Sequence, residues 1–170
     1  MTDYYAREID TDEYPQFCDL VNDGEQLSWE LTPAKLEMKL GSRGMAFGLF
    51  TGDGQMVGTI AIKHDMELGY LYIDPAFRAG VAVKKLFDVA ADNAGRYDFL
   101  FMTTRQDNRV INRLLEYSHR IVYLGTAESL FSHRTLNIWI VEPNESRLSI
   151  GEISDRIGAI YGHVSRDQTQ

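Results

Sequence analysis

A chain of 170 residues with 44% hydrophobic and 25% charged side chains is long enough to bury one core and too apolar for a disordered segment. Its 25 acidic and 17 basic residues give a formal charge of −8, which argues against broad electrostatic binding to nucleic acid and suits cationic acceptors such as amines. Cys18 is the single cysteine, which excludes an internal disulfide; no apolar run is long enough for a bilayer span and no basic-then-hydrophobic leader opens the chain, so the expected location is cytoplasmic with no membrane contact.

Residues 4–9 read as a short first strand, and Thr11-Asp12-Glu13 as a helix start. The helix that follows carries Phe17, Cys18, Leu20 and Val21 and stops near Asn22-Asp23-Gly24, so Cys18 reads as a buried thiol and not as a nucleophile. Thr32-Pro33 predicts a second helix running to Gly41, because threonine caps and proline suits the first turn. Met45 to Phe50 and Gln55 to Lys63 are apolar, β-rich runs around Thr51-Gly52-Asp53-Gly54, a hairpin signal. A second turn at residues 64–67 leads into the strand at 69–73.

The stretch from Gly69 to Ala94 carries most of the chemistry. Leu71, Tyr72 and Ile73 are strand formers, Asp74-Pro75 ends the strand, and a helix begins near Gly80 with Val83, Leu86, Phe87, Ala90 and Ala94 on one face. No Ser, Thr, Asp or Asn stands at residues 76–82, so the first N–H groups of that helix lack a side-chain cap. They are open to an anion, with Arg78 and Lys84 or Lys85 adding charge, or to water around an ordinary packed helix.

The segment IDPAFRAGVAVKKLF resembles the pyrophosphate-binding turn of the GNAT family of N-acetyltransferases, V-D-P-x-x-R-G-x-G-x-G-x-x-L-L. Without a gap Arg78 and Leu86 match while two later family glycines fall on Val81 and Val83; with a one-residue deletion Gly80 and Ala82 match. The loop is an irregular copy of the motif. The resemblance implies acetyl-CoA as cosubstrate, held by Leu71, Tyr72 and Ile73 on the strand and by Arg78, Ala79, Gly80, Val81, Ala82, Val83 and Lys84 at the turn and helix. It also implies direct attack of an amine on the thioester, with strand N–H groups on the carbonyl. Glu67, at the head of the strand, is the candidate base; His64 and Asp65 are weaker ones. The connection 24–31 would border the acceptor site, which makes Trp29 and Glu30 candidates for substrate contact; Trp29 reads equally well as a lid on the core.

Residues 98–104 read as a buried strand, and Gln106-Asp107-Asn108 caps a helix with Val110, Ile111, Leu114 and Leu115 on its inner side. This helix resembles the family's second motif, Asn-x-x-Ala-x-x-Leu-Tyr-x-x-x-Gly-Phe, with Asn108 and Leu114 matching and Asn108 therefore implied beside the cofactor. The tyrosine position holds Leu115; the neighbouring Tyr117 is the candidate acid, although two residues turn its side chain by about 200°. Residues 121–124 and 136–141 complete the strands. The long helix between the strands at 69–73 and 98–104 implies that these two run parallel.

The expected fold is α/β, GNAT-like, with a mixed, mostly antiparallel sheet of six to seven strands, helices on both faces and a C-terminal helix. Residues 1–143 form the acyltransferase domain and 144–170 a helical extension. In that extension Ser149 to Glu152 fits a capping box, and Ile150, Ile153, Ile157, Ile160 and Val164 form a stripe that packs on its own sheet or on a second subunit of a homodimer. The function so implied is transfer of an acetyl group to a primary amine of a small molecule or protein. The alternative is an inactive GNAT-fold binding or structural protein of phage type, or a GNAT-like nucleobase-modifying enzyme. No metal-ligand motif occurs, and His64, His119, His133 and His163 are scattered.

Overall fold

Strands β2 (Met45–Thr51) and β3 (Met56–Ile62) are buried along nearly every residue, so both of their faces must be covered. The computed structural model describes residues 3–24, 29–130 and 132–166. Contacts divide the chain into two units, residues 1–92 and 93–170.

In the first unit β1 (Tyr4–Glu8), β2, β3 and β4 (Glu67–Ile73) form an antiparallel meander in that order. Gly54 closes the β2–β3 turn at φ +91°, a conformation that glycine adopts at no steric cost, and its N–H donates to Thr51 O at 2.9 Å. Helix α1 (Tyr14–Gly24) follows a single 3-10 turn at Thr11–Glu13, where Asp10 N donates to Glu13 Oε1 at 3.1 Å. Helix α2 (Pro33–Leu40) begins as its sequence dictates, with Thr32 Oγ1 accepting from Lys35 N at 3.2 Å, and stops at Gly41, φ +60°. Phe17, Val21, Leu36 and Leu40 of these two helices pack with Ala46, Phe50 and Ala61 of the meander. Helix α3 (Gly80–Ala91) lies across β1, β2 and β3, burying Ala82, Leu86, Phe87 and Ala90. Ala94 is buried too, but in a 3-10 turn past the end of α3 and not on its face.

In the second unit β5 (Leu100–Arg105), β6 (Ile121–Glu128), β7 (Thr135–Val141) and β8 (Val164–Arg166) pair antiparallel in the order β5-β7-β6-β8. Helix α4 (Arg109–Glu116) follows β5, and α5 (Ile150–Tyr161) precedes β8. The capping box of α5 is formed: Glu152 N donates to Ser149 Oγ at 3.2 Å and Ser149 N to Glu152 Oε1 at 3.3 Å. Ile153 and Ile157 are buried, and Tyr161 sits edge-on to Phe101 with ring centroids 6.4 Å apart.

The α/β class, the antiparallel pairing and the C-terminal helix agree with the sequence expectation, and two details correct it. There are eight strands among the described residues where six to seven were expected, because Val164 ends the helical stripe only in sequence: Gly162 at φ +85° stops α5 and Val164 pairs with Ala127. On α4 only Leu115 is buried, whereas Val110 and Leu114 are 75% and 43% exposed. A helix of eight residues has room for one covered stripe, and residues 110 and 114 stand about 100° from 111 and 115 around it.

Candidate functional site

Strand β4 breaks its ladder in the middle. Thr59 pairs with Tyr72 and Ala61 with Gly69, so Tyr70 and Leu71 together stand opposite the single residue Ile60. This is a bulge, and Tyr70 occupies it at φ +54°, a costly conformation for a residue with a bulky side chain. Thr59, fully buried, holds it in place by donating from Oγ1 to Tyr70 O at 2.7 Å. The bulge turns a stretch of β4 backbone out of register immediately before the Asp74 turn.

Asp74 Oδ1 accepts from Ala76 N at 2.9 Å and shapes a 3-10 turn over Pro75–Phe77. Arg78 then reaches back, donating from Nε to Ile73 O at 2.8 Å, with its guanidinium carbon 5.6 Å from the Tyr72 ring centroid. Helix α3 starts at Gly80 after Ala79, whose side chain provides no cap. The helix N-terminus therefore presents backbone donors and partial positive charge. A Cβ built on Gly80 would meet nothing within 4 Å, so the space beside this residue is open. Val81 is exposed, Ala82 fully buried and Val83 half-buried. Leu71 is half-buried and Ile73 buried. Lys84 extends along the helix to Asp88, Nζ to Oδ2 at 2.5 Å, and Lys85 donates to Tyr4 O at 2.7 Å. Arg78 is the cation on the turn itself; both lysines have partners elsewhere on the first unit.

Glu67 opens β4 and is 5% exposed. Lys63 reaches it across the preceding turn, Nζ to Oε2 at 3.2 Å, its stem running within about 3.1 Å of where a Cβ on Gly69 would stand. The ammonium also lies 5.9 Å from the Tyr70 ring centroid, so carboxylate, ammonium and bulge ring form one cluster. Asp65, one of the weaker candidates for a base, accepts from Glu67 N at 3.1 Å and so shapes the turn.

Of the connection after α1, residues 25–28 lie outside the described residues. Trp29 is 38% exposed, with Lys35 Nζ and Lys39 Nζ 5.2 Å and 5.9 Å from its ring centroid. Glu30 is exposed, and its carbonyl accepts from Lys35 Nζ at 2.9 Å. Cys18 is 2% exposed on α1, and burial pushes its thiol up to about 11 from an ordinary 9.0.

In the second unit Asn108 caps α4, its Oδ1 accepting from Ile111 N at 3.3 Å. Tyr117 stands at the other end of that helix and is 73% exposed. A relay that the sequence did not announce runs from a buried indole outward and anchors α4 to the strands: Trp139 Nε1 donates to Thr104 Oγ1 at 2.9 Å, Thr104 Oγ1 to Asn112 Oδ1, and Asn112 Nδ2 to Arg105 O at 2.9 Å. A groove of about 550 Å³ lies between the end of β6 and the α5–β8 turn, lined by Glu128, His133, Tyr161 and His163 among others. None of the residues singled out from the sequence as site residues lines it. Among the described residues no cluster of His, Cys, Asp and Glu could hold a metal ion, and no helix is long and apolar enough to cross a membrane.

Neither the family models nor the curated proteins match the sequence. Solved structures do. The ribosomal-protein-S18-alanine N-acetyltransferase of Escherichia coli superposes with a TM-score of 0.67 at 15% identity, over 86% of this chain and 97% of that one. The spermidine N-acetyltransferase of Vibrio cholerae, in complex with CoA and spermine, gives 0.65 at 13% identity over 84% and 97%. An acetyltransferase of the GNAT family from Staphylococcus aureus Mu50 gives 0.63 at 12% over 82% and 98%. With the bulged β4, the Arg78 turn and the uncapped α3 following one another along the chain, these likenesses establish that the chain has the fold of the GNAT acetyltransferases.

Proposed function

We propose that this protein transfers an acetyl group from acetyl-CoA to a primary amine. The observation that carries the reading is the uncapped start of α3 placed directly after β4, with Arg78 on the turn and open space beside Gly80. An anion with several oxygens fits such a site: the helix start offers N–H groups, and the Arg78 guanidinium carries the full charge. Ala79, Gly80 and Val81 provide backbone to the pyrophosphate, whereas the Ala82 N–H already donates to Ala79 O at 3.0 Å, and the edge of β4 at Leu71 to Ile73 takes the arm that ends in the thioester.

The bulge supplies the second half of the chemistry. At the bulge the β4 backbone leaves the ladder register, and the Leu71 N–H is the group for the thioester carbonyl, where negative charge grows as the amine attacks. The amine nitrogen bonds to the carbonyl carbon, the carbon–sulfur bond breaks, and CoA departs as its thiolate. The attacking nitrogen loses a proton, and Glu67 is the carboxylate at the head of β4 that receives it, directly or through water, with Lys63 balancing its charge. Trp29 and Glu30 contact the acceptor, the carboxylate attracting its cationic form.

Two of the superposed enzymes are named for their acceptors, spermidine and an alanine of ribosomal protein S18, which defines the first panel to try. Release of free CoA thiol from acetyl-CoA, followed with a chromogenic disulfide in the presence of spermidine, spermine and amino-terminal peptides, tests the reading. Amine-dependent release supports it; release no faster than the uncatalysed control with every acceptor, from protein that also fails to bind acetyl-CoA, overturns it.

A further inference from the structure

We propose that Tyr72 is a positioning residue that ties the end of α1 to the phosphate turn, so that a change at Gly24 alters cofactor binding without touching the cofactor. The inference rests on the acetyl-CoA reading above. Two contacts converge on the Tyr72 ring. Arg78 lays its guanidinium over it, 5.6 Å from carbon to centroid, while its Nε is fixed on Ile73 O at 2.8 Å. Gly24, the last residue of α1, approaches so closely that a Cβ there would lie 1.7 Å from Cε2 and 2.2 Å from Cδ2 and Cζ of the same ring.

Gly24 is not required by its own backbone. It lies in a helix and its φ is not positive, a setting in which alanine is the better residue. What glycine provides at this position is room for the ring of Tyr72. The ring, held there, offers its face to Arg78, and a planar cation fixed at Nε and stacked on a ring has its two remaining nitrogens set in one direction. Those nitrogens are what the turn offers a phosphate.

Calorimetric titration of acetyl-CoA into the wild type, Gly24→Ala, Tyr72→Ala and the double variant tests this, with thermal melts of each. Gly24→Ala should weaken binding by about three- to ten-fold, the worth of one guanidinium–ring contact, while its melting temperature falls by no more than that of Tyr72→Ala. Tyr72→Ala should weaken binding similarly, and Gly24→Ala should add nothing in that background, because the ring it displaces is gone. Equal affinities for the wild type and Gly24→Ala overturn the coupling and leave the acetyl-CoA reading standing, as does a full additional loss in the double variant. No binding by the wild type overturns both.

Discussion

Asn22 grips Leu31 by both backbone groups: Nδ2 donates to Leu31 O at 2.8 Å, and Leu31 N donates to Asn22 Oδ1 at 2.8 Å. The last turn of α1 is thereby clamped to the residue that enters α2, closing the connection between them at its base. Leu31 is 1% exposed, so neither of its backbone groups has water as an alternative partner. Asn22→Ala is expected to cost about 2 kcal/mol by leaving both unpaired, a fall in melting temperature of about 4–8 °C for a chain of this size. Asn22→Asp retains the acceptor and should lose about half as much. A melt of the three proteins decides; equal melting temperatures would show that the clamp contributes nothing.

Thr104 is the hub of the relay beneath α4, accepting from Trp139 and donating to Asn112. Thr104→Val keeps the shape and removes the hydroxyl, stranding a buried indole N–H and an amide oxygen. Urea unfolding should show a loss of about 2–3 kcal/mol for valine and much less for Thr104→Ser.

Cys18 should be inert to thiol reagents in the folded protein. Burial raises its thiol to about 11, so at pH 8 almost none is thiolate, and modification should proceed at the rate of opening of α1. The same shift fixes a sign for stability. Between pH 9 and about 11 the unfolded chain has already lost the proton that the folded chain retains, so this group lowers stability as pH rises through that window and has no effect below it. Cys18→Ala should lack that alkaline decline, which chemical denaturation at pH 8 and pH 10.5 would reveal.

Glu67→Gln removes the proposed base while keeping an oxygen in reach of Lys63. Acetyl transfer is expected to fall by about 100-fold or more, and the pH dependence of kcat/KM to flatten on its acid side. A profile of unchanged shape would take Glu67 out of the mechanism.

The parts of this fold written in the sequence are those whose physics is local. Thr32-Pro33 and Gly41 fix both ends of α2, Gly54 the hairpin, and Ser149 with Glu152 the start of α5, each through a backbone group within four residues. The absence of a side-chain cap before Gly80 was equally legible. The bulge was not. Its left-handed residue is Tyr70 and not the adjacent Gly69, so local preference pointed to the wrong position, and Thr59, which holds it, is eleven residues away. Strand β8 was hidden because Val164 continues the spacing of the α5 stripe, and only the edge of β6 makes it a strand. The exposure of Val110 and Leu114 likewise depends on how much of α4 its neighbours cover. Of the candidate site, Arg78 and Gly80 were readable as types in a pattern. The Lys63 partner of Glu67 and the meeting of Gly24, Tyr72 and Arg78 required the chain to be folded.

Calorimetric titration of acetyl-CoA into the protein and into Arg78→Ala decides whether the turn at the start of α3 holds the pyrophosphate. Micromolar binding by the wild type is expected, weakened about ten-fold or more by the substitution, with a salt dependence that the variant loses in part. Equal affinity for both proteins, or no binding at millimolar ligand, would contradict it.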